Sequence, residues 1–314
     1  MNRSRSVPLF MLVIIATVHQ VLMGGTFVFA RYALQQVDPF TVGFIRYTVA
    51  GSILMAVSRW RTRGSNAAPV TPADRKRIWL LGAVIILGNQ TLYLYGQAFT
   101  TAVHGALLFT LTPIFVYLMA MRHLGEKWSL LKGAGILMAV AGSMSILLDR
   151  GLNLDWAALK GDLFIFVSVA AWASYLVWGK PLVGKYGAFR ASAYTLASGA
   201  LIYFPFGLYR FLTADLSRLD TMGWWSIVYV TMVTSVIGYS IWYWLLKFME
   251  ASRVSVLSNA QPIVAGALGF FLLRETVTAP FIVGAIIILI GVMLTQMAGG
   301  KTKGPEAVAA GPLP

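Results

Sequence analysis

Residues 88–113 read GNQTLYLYGQAFTTAVHGALLFTLTP, a run without one Asp, Glu, Lys or Arg that is nevertheless threaded with Asn, Gln, His, Tyr and Thr. A hydrocarbon layer about 30 Å thick is crossed by a helix of about 20 residues. Extended to 78–121, the run therefore holds two crossings, with a turn expected at 96–102. In such a solvent an unpaired polar group costs about 1–3 kcal/mol. Asn89, Tyr93 and Gln97 stand four apart on one helical face, so that stripe must either bond to neighbouring helices or line a wet cavity.

The same texture extends over the rest of the chain. Hydrophobic residues make up 58% and charged residues 11%, against about 25% charged in ordinary soluble domains, and the mean hydropathy is +0.73. Ten apolar segments result: 8–30, 40–58, two within 78–121, 128–148, 163–179, 191–209, 223–246, 254–273 and 280–298. None alternates like a barrel strand, so the expected class is an all-α integral membrane protein. Arg3 and Arg5 before the first segment suggest a signal peptide, but its apolar region is long and lacks an Ala-x-Ala site, so it is read as a span. The tail 299–314, rich in Gly, Pro and Ala, reads as a disordered end.

Net charge +14 would raise the question of nucleic acid in a soluble chain. With a cytoplasmic amino terminus and ten spans, Lys and Arg divide eighteen to seven in favour of the inner ends, and Asp and Glu divide four to seven the other way. The positive-inside rule accounts for that bias. Both termini are then expected in the cytoplasm, and nucleic acid is not an expected partner. The chain has no cysteine, which removes disulfides, thiolate metal sites and a cysteine nucleophile.

Sliding the sequence over itself by 149 residues superposes Phe40 on Phe189, Pro113 on Pro262, Glu126 on Glu275, Gly135 on Gly284 and Gly142 on Gly291 without a gap. Two of the four glutamates coincide at the shift that also aligns two prolines interior to spans. Five spans per half is an odd number, so the second half must enter the membrane from the opposite side. The expectation is ten transmembrane helices as a 5+5 inverted-topology repeat, with residues 1–150 and 151–298 as its halves.

These features together resemble the drug/metabolite transporter superfamily in its EamA-type branch: the five-plus-five repeat, Pro113 and Pro262 in the fourth and ninth spans, the L-x-E steps at 124–126 and 273–275, and the Gly-rich fifth and tenth spans. The likeness covers roughly residues 8–298. More narrowly, the chain is similar to the YddG-type amino acid exporters of bacteria. That resemblance implies a bacterial inner-membrane exporter of amino acids and other small amphipathic metabolites, working by alternating access around a central cavity.

Candidate cavity residues are those polar or aromatic side chains that lie deep in spans. They are His19, Asn89, Tyr93, Gln97 and Thr110 in the first half, and Trp172, Tyr175, Tyr239, Tyr243 and Asn259 in the second, with Pro113 and Pro262 as hinges. Aromatic faces suit apolar bodies and cations, while amides and hydroxyls suit either end of a zwitterion. For each residue, interhelical bonding or plain packing is the competing reading. Trp60, Trp79, Trp128, Trp156, Trp224 and Trp225 sit at span ends and read as interfacial anchors. Arg46 reads as snorkelling to the outer interface, with substrate carboxylate binding as the lesser alternative. No Asp or Glu falls inside a span, so export down a gradient, or coupling through His19, is expected instead of an embedded carboxylate. Three scattered histidines and no intramembrane acid supply no catalytic cluster. No enzyme activity, cofactor or metal is expected. A drug or nucleotide-sugar carrier and a channel are the rival functions. Glycines on the fifth and tenth spans are expected to brace the halves or to pair two protomers; a monomer is the simpler state.

Overall fold

The computed structural model describes residues 8–63, 68–99, 108–149, 156–261, 263–264 and 278–298. These residues form helices and no strand, as hydrocarbon demands of a chain whose backbone polar groups must pair within each segment. In chain order they are α1 (Leu9–Leu34), α2 (Pro39–Thr62), α3 (Pro72–Ala83, continuing through Val84–Thr91 and Leu92–Phe99) and α4 (Thr112–Leu124). Next come α5 (Leu130–Asp149), α6 (Trp156–Tyr186) and α7 (Ala188–Thr213). The series ends with α8 (Thr221–Val228, continuing through Tyr229–Gly238 and Tyr239–Phe248), α9 (Ala251–Val256, then Leu257–Ala260) and α10 (Ala279–Met297). Five of them, α1, α2, α3, α6 and α8, are long and apolar enough to cross a membrane, and α5 and α10 contribute shorter apolar stretches. Pro262, Glu275 and the tail lie outside the described residues.

Helix starts follow local chemistry. Asp38 accepts the backbone N–H groups of Phe40 (3.1 Å) and Thr41 (3.2 Å) ahead of Pro39, where a missing N–H is harmless. Asp220 likewise accepts from Gly223 N (2.6 Å), and its second oxygen takes the Tyr32 hydroxyl at 2.8 Å. The Gly223 N–H and then the Tyr32 hydroxyl hold the Asp220 carboxyl below its usual range. At the end of α4, Gly125 takes φ +64°, a left-handed cap that suits glycine. One expectation is corrected here: Gly96 is no turn. The helix runs on through it to Phe99, because a glycine at this point lets α3 close on α6, where a Cβ would come 2.6 Å from the Gly161 carbonyl oxygen.

Contacts between the halves carry the signature of a twofold axis. A Cβ on Gly135 of α5 would meet the Gly291 carbonyl oxygen of α10 at 2.6 Å, and one on Gly142 would meet that of Gly284 at 2.6 Å. Gly284 and Gly291 are the 149-residue equivalents of Gly135 and Gly142. The contacts are thus reciprocal and antiparallel, as an isologous interface requires. In α2 and α7 the aromatic contacts run the same way: Phe44 meets Phe211 at 5.3 Å, Tyr47 meets Tyr203 at 5.2 Å, and Gly51 packs against its own equivalent Ala200. The chain is therefore a 5+5 repeat whose halves are inverted relative to each other. The glycine faces of α5 and α10 are occupied by one another, while Leu137, Ile282 and Met293 on their outer faces are exposed, as a lipid-facing surface would be. All six tryptophans expected at span ends are also exposed.

Gly142→Ala forces a methyl against backbone and is expected to cost about 1–3 kcal/mol. Gly133→Ala, whose Cβ would meet only Trp128 at 3.6 Å, should stay within about 0.5 kcal/mol of the parent. Thermal unfolding of both variants in the same detergent checks the contrast: a lowered midpoint for the first only.

Candidate functional site

Two helices change their winding part-way along their length. Val84–Thr91 of α3 and Tyr229–Gly238 of α8 are wound as π-helix, and the two stretches overlap under the 149-residue register. π-Winding inserts an extra residue per turn and frees carbonyls, which is why it concentrates at functional sites. Side chains hold it in place: Thr91 Oγ1 donates to the Ile86 carbonyl at 2.7 Å and Ser235 Oγ to the Val230 carbonyl at 3.2 Å, each five residues back. Because of this winding, both Asn89 and Gln90 turn inward and are buried.

A cavity opens beside these stretches, with contributions from α1, α2, α3, α4, α6, α8 and α9. A water molecule's centre has about 90 Å³ to move in, room for several waters or part of a small organic solute. The lining repeats the symmetry of the fold. Met23 pairs with its register equivalent Trp172, Asn89 with Gly238, Gln90 with Tyr239, Tyr93 with Trp242, Phe109 with Ser258 and Thr112 with Gln261, and both members of every pair face the cavity. Gln90 and Tyr239 also touch: the amide Nε2 donates to the hydroxyl at 2.5 Å. The twofold axis therefore passes through the site.

Its polar groups are joined in two chains. Asn89 Nδ2 donates to the carbonyl (2.9 Å) and hydroxyl (3.1 Å) of Ser168, and its Oδ1 accepts from Gln90 Nε2 at 2.5 Å. Across the axis, His19 Nε2 lies 3.2 Å from the Gly238 carbonyl; His19 and Gly238 are the equivalents of Ser168 and Asn89. Gln20 Nε2 lies 3.2 Å from His19 Nδ1, and Gln20 Oε1 accepts from Gln261 Nε2 at 2.9 Å. With Gln20 donating to Nδ1, the ring proton sits on Nε2 and is given to Gly238, a neutral tautomer assigned from the network. His19 thus braces α1 against α8.

The aromatic wall comes from both halves, Phe27, Tyr93 and Phe109 from the first and Trp172, Tyr239 and Trp242 from the second. Trp172 meets Tyr239 edge-on at 5.4 Å and Trp242 at 5.6 Å, and Trp242 lies 5.1 Å from the His19 ring. Tyr175 and Tyr243 stand behind this wall, stacked on each other at 5.1 Å, and do not line the cavity. Of the other residues proposed from sequence, His19, Asn89, Tyr93, Trp172 and Tyr239 line it. Gln97, Thr110 and Asn259 are buried but do not line it. Pro113 sits in the first turn of α4, directly after a turn at Thr110 and Leu111; the 3₁₀ stretch Leu257–Ala260 occupies the equivalent place in α9.

Arg46 requires a correction. It does not reach the outer interface: it is 1% exposed and lines the cavity, and its Nε donates to Ser235 Oγ at 2.7 Å. A buried cation without a counter-charge is costly by several kcal/mol. It also biases the site: at an effective dielectric of about 20, a second cation about 6 Å away is repelled by about 3 kcal/mol, more than the roughly 0.5–2 kcal/mol that a ring face returns. Trp242 and Gln90 were missed from the sequence, although the register maps them to Tyr93 and Tyr239.

Away from the cavity, at the ends of α4 and α8, lies a charge cluster in which Lys132 and Glu126 are buried and Glu250 is half-buried. Lys132 Nζ reaches Glu250 at 2.8 Å and Glu126 at 3.4 Å. Glu126 in turn accepts the Ala251 N–H at 2.9 Å and the Ser252 hydroxyl, tying the end of α4 to the start of α9. Among the described residues no group of acids and histidines is placed to hold a metal.

Comparison with known proteins agrees with this architecture. The pattern of the EamA-like transporter family matches twice, over residues 10–148 and 159–297. The chain is 29% identical over 290 residues to an uncharacterized transporter of Archaeoglobus fulgidus, covering 87% of this chain and 93% of that one. It is 27% identical over 214 residues to a protein of Salmonella typhimurium named "Probable amino-acid metabolite efflux pump", covering 66% of each. A crystal structure of a protein 18% identical to it, covering 92% of this chain and 97% of the other, superposes with a TM-score of 0.74, a likeness of fold.

Replacing Gln90 by Leu strands Asn89 Oδ1 and removes the bond to Tyr239 on the axis. The expected cost is about 1–3 kcal/mol, read as a lower thermal midpoint. Gln97→Leu, outside the cavity and its networks, should fall well short of that loss.

Proposed function

We propose a cargo and a direction for a protein whose family is established: the chain belongs to the EamA-like transporter family. It is a membrane transporter, and its relatives are transporters too, not enzymes. Our reading is that it exports amino acids and related small amphipathic metabolites from a bacterial cytoplasm across the inner membrane, with both termini inside and residues 1–150 and 151–298 as the exchanging halves. His19, Asn89, Tyr93, Trp172 and Tyr239 meet the cargo directly. Gln97, Thr110, Tyr175, Tyr243 and Asn259 support the walls, and Pro113 and Pro262 act as hinges.

The observation that carries this reading is the cavity on the twofold axis, lined in register pairs by both halves. A site placed there presents nearly the same surroundings to either side of the membrane as the halves rock, which is the geometric basis of alternating access. On the proposed topology, the Lys132, Glu126 and Glu250 cluster lies at the cytoplasmic end and closes it. The efflux role named for the Salmonella relative supports the choice of cargo class. A carrier of cationic drugs is the second reading within the family. The absence of any Asp or Glu from the described cavity lining, together with Arg46 inside it, speaks against that reading.

Liposomes loaded with phenylalanine and containing the purified protein are expected to release it faster than empty-protein controls. Trp172→Ala, which removes the central ring of the wall, should cut that rate at least about tenfold, the scale of losing a large buried ring contact. Release at the control rate by the parent protein would end the proposal.

A further inference from the structure

We propose that Arg46 is the receptor for a carboxylate, and that the cargo class is a monocarboxylate with an aromatic or similarly bulky apolar body, for which an ammonium group is dispensable. The inference rests on the transport reading for movement of the cargo but not for its binding.

Arg46 is fully enclosed; its Nε is held by Ser235, while Nη1 has no partner among the described residues. The ion pairs of the described residues lie elsewhere, at helix ends: Lys132 with Glu126 and Glu250, Lys185 with Asp74, Arg210 with Asp38, Arg218 with Asp215. A guanidinium whose Nε is fixed by Ser235 and whose Nη1 is free presents a donor in a set direction, the arrangement that takes one oxygen of a carboxylate. Nearby polar groups favour the same guest. The Trp242 indole N–H, a donor only, and the Tyr93 hydroxyl are buried and unpartnered. Tyr239 accepts from Gln90, which leaves its own proton to give.

The departure from symmetry gives the guest its two ends. The register equivalent of Arg46 is Thr195 and that of His19 is Ser168, so the second half contributes no ionisable base at these places. Rings come from both halves: Trp172, Tyr239 and Trp242 from the second, and Phe27, Tyr93 and Phe109 from the first. The described lining therefore has one cationic pole, Arg46 from α2, and aromatic walls from α1, α3, α6 and α8. A carboxylate joined to a ring matches both features. An ammonium group would find no carboxylate among the described lining residues and would be repelled by Arg46.

Three ligands share one ring and separate the alternatives: 3-phenylpropionate keeps only the carboxylate, phenethylamine only the ammonium, and phenylalanine both. Calorimetric titration into the purified protein should rank 3-phenylpropionate at or above phenylalanine, and both at least about tenfold above phenethylamine, the discrimination expected of a charge-assisted hydrogen bond. Arg46→Gln should weaken 3-phenylpropionate by about ten- to a hundredfold and leave phenethylamine unchanged or improved, while Arg46→Lys should restore part of the loss. Ser235→Ala, which frees the guanidinium from its anchor, should weaken the carboxylates by a smaller factor; it keeps the test decisive if the Arg46 variants do not fold. Equal or tighter binding of phenethylamine by the parent, no binding of any of the three, or a folded Arg46→Gln with undiminished affinity for 3-phenylpropionate would overturn the proposal. Failed phenylalanine efflux with the predicted binding order would instead count against the transport reading alone.

Discussion

The hydrogen bond from Gln90 to Tyr239, 2.5 Å long, joins two residues that hold the same position in the two halves of the chain. Both side chains are buried, so removing either would leave a polar group of the other short of a partner. The bond's place on the twofold axis ties the rest together. α3 and α8 are brought to the centre, their π-wound stretches both border the cavity, and the cavity forms where backbone and side chains fail to fill the space around them. The glycine crossings of α5 and α10 serve the same symmetry from the periphery, where small residues let two backbones touch.

The two halves are alike in shape and unlike in chemistry. His19 of the first half and Ser168 of the second each bond to the opposite π stretch or its equivalent, at Gly238 and Asn89. Only one of these contacts brings a titratable ring. Arg46 and Thr195 likewise share a place, and only one carries charge. Shared shape suits two-sided access, while divergent side chains give the guest an orientation. A protein built from identical halves would offer a cavity with two identical poles.

Much of this was legible in the sequence, because the membrane writes its demands in hydropathy. Segment lengths, the positive bias of one set of loops and the 149-residue register were enough for ten spans in an inverted repeat. The site was read less completely, for a specific reason. A period of 3.6 residues puts Asn89, Tyr93 and Gln97 on one face and Gln90 on another, whereas the π-winding of Val84–Thr91 buries Asn89 and Gln90 together and leaves Gln97 outside the cavity. Local propensity does not announce a π stretch; it arises from tertiary contacts and from hydroxyls such as Thr91 and Ser235 reaching back five residues. Arg46 was misread for a related reason. Snorkelling is the usual escape for a cation near a span end, and nothing in sequence shows that Ser235, 189 residues away, waits for it in the interior. Carrying each candidate across the register would have found Trp242 from Tyr93.

Inversion of the halves is the claim on which the rest stands, and the chain's lack of cysteine makes it directly measurable. Gln35, just after α1, and Gly184, near the end of α6, are register equivalents, and both are exposed with space for a side chain at Gly184. Single Gln35→Cys and Gly184→Cys variants in intact cells should react with a membrane-impermeant thiol reagent from opposite sides, one at once and the other only after the membrane is opened. Labelling of both from the same side would contradict the inverted repeat and, with it, the axis through the cavity.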